Sequence, residues 1–240
     1  MPSYNASRFI ADAIRSVQAQ ICQEWELLIV DDGSSDHSID IINRFASEDQ
    51  RIRLFKSSHQ GAAEARNIAI RQARGRYIAF LDSDDVWEEN KLAAQLAFME
   101  KRHCAFVFSS YYTMDEDGRK TGKTIAAPPV MTYHRYLKDT IIGCLTVMID
   151  RQQTGNFEMP VIRSSHDMAL WLHIMKQGFT AYGMPEVLAG YRLVASSNTA
   201  KKRRAAYDVW RVYRDIEHLS LPYAALCFCG YVFHAIKKRL

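Results

Sequence analysis

Two short apolar runs, each stopping at a cluster of acidic residues, set the terms for this chain. Glu26-Leu-Leu-Ile-Val30 runs into Asp31-Asp32-Gly33, and Tyr77-Ile-Ala-Phe-Leu81 runs into Asp82-Ser83-Asp84-Asp85. An apolar run of this length bounded by turn residues is a buried strand leading into a loop. Helical patterns surround them. Residues 7–20 put Phe9, Ile10, Ala13, Ile14 and Val17 on one face. Behind a Ser35-Asp36 cap, Ile39, Ile42, Phe45 and Ala46 form a second such face. Residues 62–74 and 88–102 predict two more helices, and 52–55 and 105–108 two more strands. Strands alternating with helices predict an α/β fold, a mostly parallel central sheet flanked by helices.

The second half is less regular. A turn-rich stretch from Asp115 to Pro129 precedes a strand over 145–149 and a helix over 167–177 that carries Met168, Leu170, Trp171, Ile174 and Met175. Short β segments follow near 180–184 and 187–193, then helices over 200–218 and 223–238. This divides the chain into a main domain over 1–198, whose halves meet near residue 112, and a C-terminal helical extension over 199–240. Met1-Pro2-Ser3-Tyr4-Asn5 has the character of a loop after a strand. A sheet that began there would have an open edge, so a first strand is expected upstream of Met1; the alternative is a fragment that lacks one element.

Composition narrows the class. Apolar residues make up 48% and charged residues 24%, enough for a core and unlike a disordered chain. The net charge of +4 is too mild to point to nucleic acid. Five cysteines without a Cys-x-x-Cys pair indicate neither a disulfide framework nor a zinc ribbon. The start lacks a signal-peptide layout, and a cytoplasmic protein is expected.

In open parallel sheets, ligands bind at the carboxyl ends of the strands. Tyr4-Asn5, Asp31-Asp32 and Asp82 to Asp85 all fall at that edge. Close carboxylates there repel by up to ~4 kcal/mol per pair near a protein surface. A cation, or donors from a ligand, would relieve this, and hard oxygen ligands favour Mg²⁺ or Mn²⁺ over zinc. The plainer readings are a turn at Asp31-Asp32-Gly33 and a helix cap at Asp82 to Asp85. Two further patterns carry no chemistry. Gly118-Arg-Lys-Thr-Gly122-Lys-Thr124 is one residue short of a phosphate-binding loop and is better read as a hairpin turn. Cys227-Phe-Cys229 with His234 belongs to an apolar helix.

The ordered series Pro2-Ser-Tyr4-Asn5, Trp25 through Asp36, Gly61 with Ala65-Arg66-Asn67, and Gly75 through Trp87 resembles glycosyltransferase family 2. The likeness extends from residue 2 to about residue 200. It implies the GT-A fold and an inverting, metal-dependent sugar transferase of bacterial surface-polysaccharide assembly, of the teichuronic-acid type. On this resemblance Tyr4 stacks on the nucleobase of a nucleotide-sugar donor, probed by Asp32 and shaped by Asp31. Pro2 and Asn5 belong to the same loop. Arg66 and Asn67 flank the base or diphosphate, the plainer role of Arg66 being to neutralise Asp31 or Asp32. Asp82, Asp84 and Asp85 form the family's DxD region, with Asp84 expected near the ribose and the metal and Asp85 or Asp82 completing the shell of Mg²⁺ or Mn²⁺. Asp167, in Ser165-His166-Asp167-Met168, is the expected base, with His166 where the family usually has an acid. Arg192, followed by Ser196-Ser197-Asn198, is expected on the diphosphate, and Trp87 and Lys91 as packing and solvated-face residues. The resemblance makes a uridine donor the first expectation, with a glycan or lipid-linked acceptor.

From Tyr223 to Ile236 the chain is apolar and aromatic, then basic at Lys237-Lys238-Arg239. Fourteen helical residues reach roughly 21 Å, short of the ~30 Å hydrocarbon layer. Such a helix suits an anionic membrane surface, or docking on the domain or a second subunit. A different class of function, a non-catalytic nucleotide-sugar-binding scaffold, stays open because of His166. A Rossmann dehydrogenase is disfavoured, since no Gly-x-Gly-x-x-Gly follows a strand.

Overall fold

The computed structural model describes residues 1–194 and 202–237. Strand β1 (Pro2–Ser3) lies parallel to β2 (Leu27–Asp31), and β2 parallel to β3 (Ile52–Lys56). β2 is buried along its whole length because alternate residues serve two layers. Leu27 and Ile29 pack with helix α1 (Ile10–Gln18), whereas Leu28 and Val30 pack with Ala65 and Ala69 of α3 (Ala62–Gln72). A strand covered on both faces has no polar side, hence its unbroken apolar run. α1 buries Ile10, Ala13, Ile14 and Val17, the i, i+3, i+4, i+7 stripe of an amphipathic helix. Helix α2 (Ser38–Glu48) adds Ile42 to the same core.

The second sheet has seven strands. The path runs β4 (Tyr77–Ala79), β9 (Val147–Asp150), β6 (Phe106–Met114), β10 (Ala181–Arg192), β5 (Val86–Trp87). Off this path, β7 (Lys120–Ile125) pairs with β6 and β8 (Val130–Met131) with β10. The α/β class and the flanking helices hold, and the sheets together are mixed in direction. Three strand pairs are parallel and five antiparallel among the described residues. Three of the antiparallel pairs arise because β6 turns back into β7, and because β9 inserts between β4 and β6 running against both; the other two pair β10 with β5 and β8. The Gly118 to Thr124 segment lies on that β6–β7 hairpin, with Gly118 at φ +82°, as a turn requires. The two β segments expected near 180–193 form one strand, β10, whose register slips between Met184 and Ala189. Pro185, which has no N–H to donate, sits within the slip.

Helix α4 (Lys91–Arg102) starts directly after β5, so its first turn faces inward. Lys91 is therefore not on a solvated face: it is fully buried, its ammonium 4.4 Å from the Trp87 ring and donating to Gln95. Burial lowers its pKa to about 7. Two short helices, α5 (Tyr133–Tyr136) and α6 (Arg151–Thr154), precede α7 (His166–Lys176), whose Trp171 packs on Phe80 and Phe106. Helices α8 (Lys202–Arg211) and α9 (Leu221–Lys237) share that core through Val209, Ala224 and Cys227. Cys227 packs as expected, and Cys229 is exposed. No described helix is long and apolar enough to cross a membrane. The Ser196 to Asn198 segment and the basic clusters at 201–204 and 237–239 fall outside the described side chains.

Candidate active site

The loops that follow β1, β2 and β3 interlock. Asn5, at φ +48°, accepts at Oδ1 from the Ser35 N–H (2.8 Å), and its own N–H donates to Ser34 Oγ (2.9 Å). Asp31 is buried and accepts from the Ser34 N–H (2.9 Å) and Ser34 Oγ–H. Asp32 accepts from the backbone N–H groups of Gln60 (2.9 Å) and Gly61 (2.7 Å). Burial alone would raise the Asp32 pKa; those two amides outweigh it and hold the carboxyl below its usual range. Asp32 thereby fixes the start of α3, and Pro2 pairs with Val30 in β1.

Tyr4 is left on the surface, 51% exposed, with its ring 4.5 Å from that of His59. His59, at φ +57°, also faces the Asp32 carbonyl. His59 and Gln60 escaped the sequence reading. The available signal was positional, since they occupy the first loop after β3, at the same edge as Tyr4 and Asp32.

α3 ties this region to the second acidic loop. Arg66, buried on its inner face, pairs with Asp82 through Nη2 and reaches His166 Nε2 through Nη1 (2.6 Å). A guanidinium can only donate, so Nε2 is the acceptor and His166 carries its proton on Nδ1. Burial and then the charge of Arg66 lower the His166 pKa and keep the ring neutral. The partner of Arg66 is thus Asp82, not Asp31 or Asp32. Asn67 points the other way: its amide accepts from the Met159 N–H (2.7 Å) and donates to the Met159 carbonyl (2.8 Å). It is a buried pin between α3 and the 157–162 loop, with its carbonyl and one amide N–H engaged there.

Arg192 is held by protein groups rather than left on the surface. Its guanidinium is 3% exposed, and it donates to the carbonyls of Asp84 (2.8 Å) and Glu116 (3.0 Å) and pairs with Asp12 (3.3 Å). Its backbone N–H donates to Asp85 Oδ1 (2.8 Å). It frames the acidic loop, each of its three side-chain nitrogens engaged by a protein oxygen among the described residues.

Within that loop the carboxylates remain poorly compensated. Burial first, then the charge of Asp82, raises Asp84 to about 6, and no side chain hydrogen-bonds it among the described residues. Asp85, 1% exposed, is likewise pushed up by burial and by Asp84 and Asp82. Neighbouring carboxylates with raised pKa values are a demand for positive charge. Among the described residues, no three His, Cys, Asp or Glu side chains are grouped to hold a metal by themselves. Asp167 lies in the first turn of α7, where backbone N–H groups favour an anion, and its charge is felt by Arg66.

A mixed α/β arrangement with acidic loops at one edge, joined by a helix whose N-terminus one Asp clamps, is that of the GT-A fold. Solved structures share that fold. The Staphylococcus aureus TarS 1–349 structure with UDP-GlcNAc matches at TM-score 0.72 and 18% identity, over 96% of this chain and 70% of that one. The mannosyltransferase PcManGT of Pyrobaculum calidifontis, solved with GDP-Man and Mn²⁺, matches at 0.71 and 16%, over 99% and 69%. Residues 1–158 match glycosyl transferase family 2, and the chain belongs to that family. It is 51% identical over 240 residues to TuaG of Bacillus subtilis (strain 168), named for teichuronic acid biosynthesis, covering 100% of this chain and 95% of TuaG. It is 38% identical over 242 residues to WfgD of Escherichia coli, a UDP-Glc:α-D-GlcNAc-diphosphoundecaprenol β-1,3-glucosyltransferase, covering 100% and 93%.

Proposed function

We propose that this glycosyltransferase moves a sugar from a uridine diphosphate donor, in one inverting step, to a hydroxyl of a lipid-linked glycan used in bacterial surface-polysaccharide assembly. The carrying observation is Asp84, a half-buried carboxylate with no side-chain hydrogen bond among the described residues, beside the ion-paired Asp82. The donor set fits a hard divalent ion completed by substrate oxygens, so Asp84 and Asp85 would hold Mg²⁺ or Mn²⁺. Bound there, the ion would supply Lewis-acid neutralisation of the departing diphosphate. The Tyr4 and His59 rings offer the base a stacking surface, with Asp32 holding their loop. Asp167 takes the proton of the acceptor hydroxyl as that oxygen attacks the anomeric carbon. Arg66, held between Asp82 and His166, sets the distance between the α7 terminus and the acidic loop. The names of TuaG and WfgD support the acceptor class. We take residues 1–198 as the catalytic domain.

The extension supplies the membrane contact in this reading. Pro222, Ala225, Leu226, Cys229, Val232, Phe233 and Ile236 are exposed at helical spacing along α9, with no charge among them, and the sequence ends in a basic cluster that suits anionic lipid. Truncation at Leu219 would remove Ala224 and Cys227 from the core, so Phe233→Glu with Ile236→Glu is the cleaner test. Loss of binding to anionic vesicles is expected; unchanged binding contradicts the surface role.

The test of the whole is turnover of a panel of nucleotide sugars with Mn²⁺ and then with EDTA. Uridine donors with Mn²⁺ are expected to turn over and chelation to stop them; equal rates with chelator contradict the metal. Asp167→Asn is expected to cut turnover by about 10²–10⁴-fold while nucleotide binding persists. If that variant changes nothing, a nucleotide-sugar-binding scaffold is the better reading.

A further inference from the structure

The turn that carries Asp167 is mounted from outside the stretch that matches the family. That stretch ends at residue 158, and α7 and α8 lie beyond it. Helix α7 starts without a cap of its own. Its N-cap residue Ser165 holds φ +59° and ψ +21°, a left-handed conformation disfavoured for a residue with a Cβ, and its side chain makes no capping hydrogen bond. An N-cap serine ordinarily has an extended backbone and turns its oxygen onto the first-turn amides. Left-handed Ser165 leaves them uncapped around Asp167, and a backbone in that conformation persists only where its surroundings hold it.

Two contacts hold it. Arg66 donates to His166 on one side (2.6 Å). On the other, Ser164 Oγ–H donates to the carboxylate of Asp208 in α8. Among the described residues, this is the one hydrogen bond from residues 160–164 to a distant segment of the chain. The Ile162 N–H donates within the loop, to the Pro160 carbonyl (2.8 Å). Asp208 is in turn firmly seated. Val209 and Val212 are buried in the core that holds Leu170 and Trp171, and Trp210 meets Phe228 of α9 edge-on at 5.6 Å. Arg211, the nearby cation, pairs with Asp215 (2.9 Å) and leaves the Asp208 carboxylate to the serine. The cavity lined by Ile162, Ser164, Asp208 and Val212 is only about 30 Å³, so loop and helix are closely packed.

We propose that Asp208 is a positioning residue for the transfer. Its carboxylate holds Ser164, Ser164 fixes the left-handed Ser165, and Ser165 sets where Asp167 stands against the acceptor hydroxyl. The C-terminal extension then serves the chemistry as well as the membrane contact. This rests on the reading of Asp167 as the base. An ionised acceptor gives a shorter and stronger hydrogen bond than a neutral one, which suits a clamp on a turn that lacks its own cap. Catalytic geometry tolerates little, since a misplacement of about 1 Å can lower a rate by about 10²-fold.

The test reads kcat and donor KM with Mn²⁺ for transfer from UDP-glucose to α-D-GlcNAc-diphosphoundecaprenol, or from whichever nucleotide sugar the parent uses fastest. Asp208→Ala is expected to lower kcat about tenfold with donor KM within about twofold of the parent. Ser164→Ala should do the same, and the double variant should be no worse than either. Asp208→Asn keeps an oxygen acceptor and should recover most of the rate. Unchanged kcat in Asp208→Ala overturns the proposal, as do losses that multiply in the double variant. Asp167→Asn in the same assay separates the two readings. If it leaves turnover intact, the base assignment falls and the clamp with it; if it is slow while Asp208→Ala is fast, only the clamp falls. Should Asp208→Ala not fold, or the parent not turn over, hydrogen exchange in Ser164→Ala decides. The Ala169 N–H, which donates to the Ser165 carbonyl (3.0 Å), is expected to exchange about tenfold faster with β6 unchanged, and unaltered exchange refutes the clamp.

Discussion

The loop after β2 and the loop after β4 are both acidic, and they treat their carboxylates in opposite ways. Asp31 and Asp32 are surrounded by donors: Ser34, Gln60 and Gly61 satisfy them, and what they achieve is loop shape. Asp84 and Asp85 face each other and Asp82 in a partly buried loop, with one backbone N–H from Arg192 on Asp85 as the main relief. A satisfied carboxylate is already doing its work in the folded chain. A frustrated one raises the energy of the empty site and is stabilised when a cation arrives. Acidic composition alone does not separate the two cases; the count of donors within reach does.

Removing Asp32 should break the comparison most severely. Asp32→Ala leaves the Gln60 and Gly61 amides without their acceptor, at about 1–3 kcal/mol each. A loss of about 3 kcal/mol in urea unfolding is expected, with nucleotide affinity falling as the His59 loop loosens. Stability that hardly moves would show that the loop holds itself. Asn67→Ala orphans both Met159 groups, and about 2–3 kcal/mol of destabilisation is expected with KM for the donor unchanged in the surviving enzyme. A raised KM at constant stability would return Asn67 to the nucleotide.

The Asp84 prediction has the opposite sign. With a folded pKa of about 6 against 3.8 for the free group, the cost of ionising Asp84 appears as pH rises between those values and is complete above 6. Asp84→Asn should therefore stabilise the metal-free protein by about 2–3 kcal/mol at pH 7.5 and by almost nothing below pH 4. Mn²⁺ should raise the melting temperature of the parent above pH 6 and have little effect on the variant. Equal Mn²⁺ shifts in both would move the ion elsewhere. Smallest in stability is Tyr4→Ala, expected within 0.5 kcal/mol because the ring is half exposed. Its readout is nucleotide affinity, expected to fall about tenfold if the ring carries a base stack of 1–3 kcal/mol. Unchanged affinity would place the base elsewhere.

Much of this was legible beforehand. The β2 run, the α1 stripe, Asp167 in the first turn of α7 and the packing of Trp171 follow from local periodicity and capping, which a linear sequence carries directly. Lys91 and Arg192 were not legible, because a long cationic side chain reads as surface until the neighbours that bury it are known. Asn67 beside Arg66 illustrates the same limit: adjacent residues on one helix turn to different partners, one to Met159 and one to Asp82.

The sequence by itself determined the α/β class, the family and the acidic edge, since each depends on residues near one another along the chain. Only the tertiary structure decided which carboxylates are quenched and which are left short of compensating charge, and that Arg66 joins Asp82 to His166. Those depend on donors brought together from segments tens of residues apart. Burial multiplies the electrostatic consequence of each meeting, and it has no signature in any one segment.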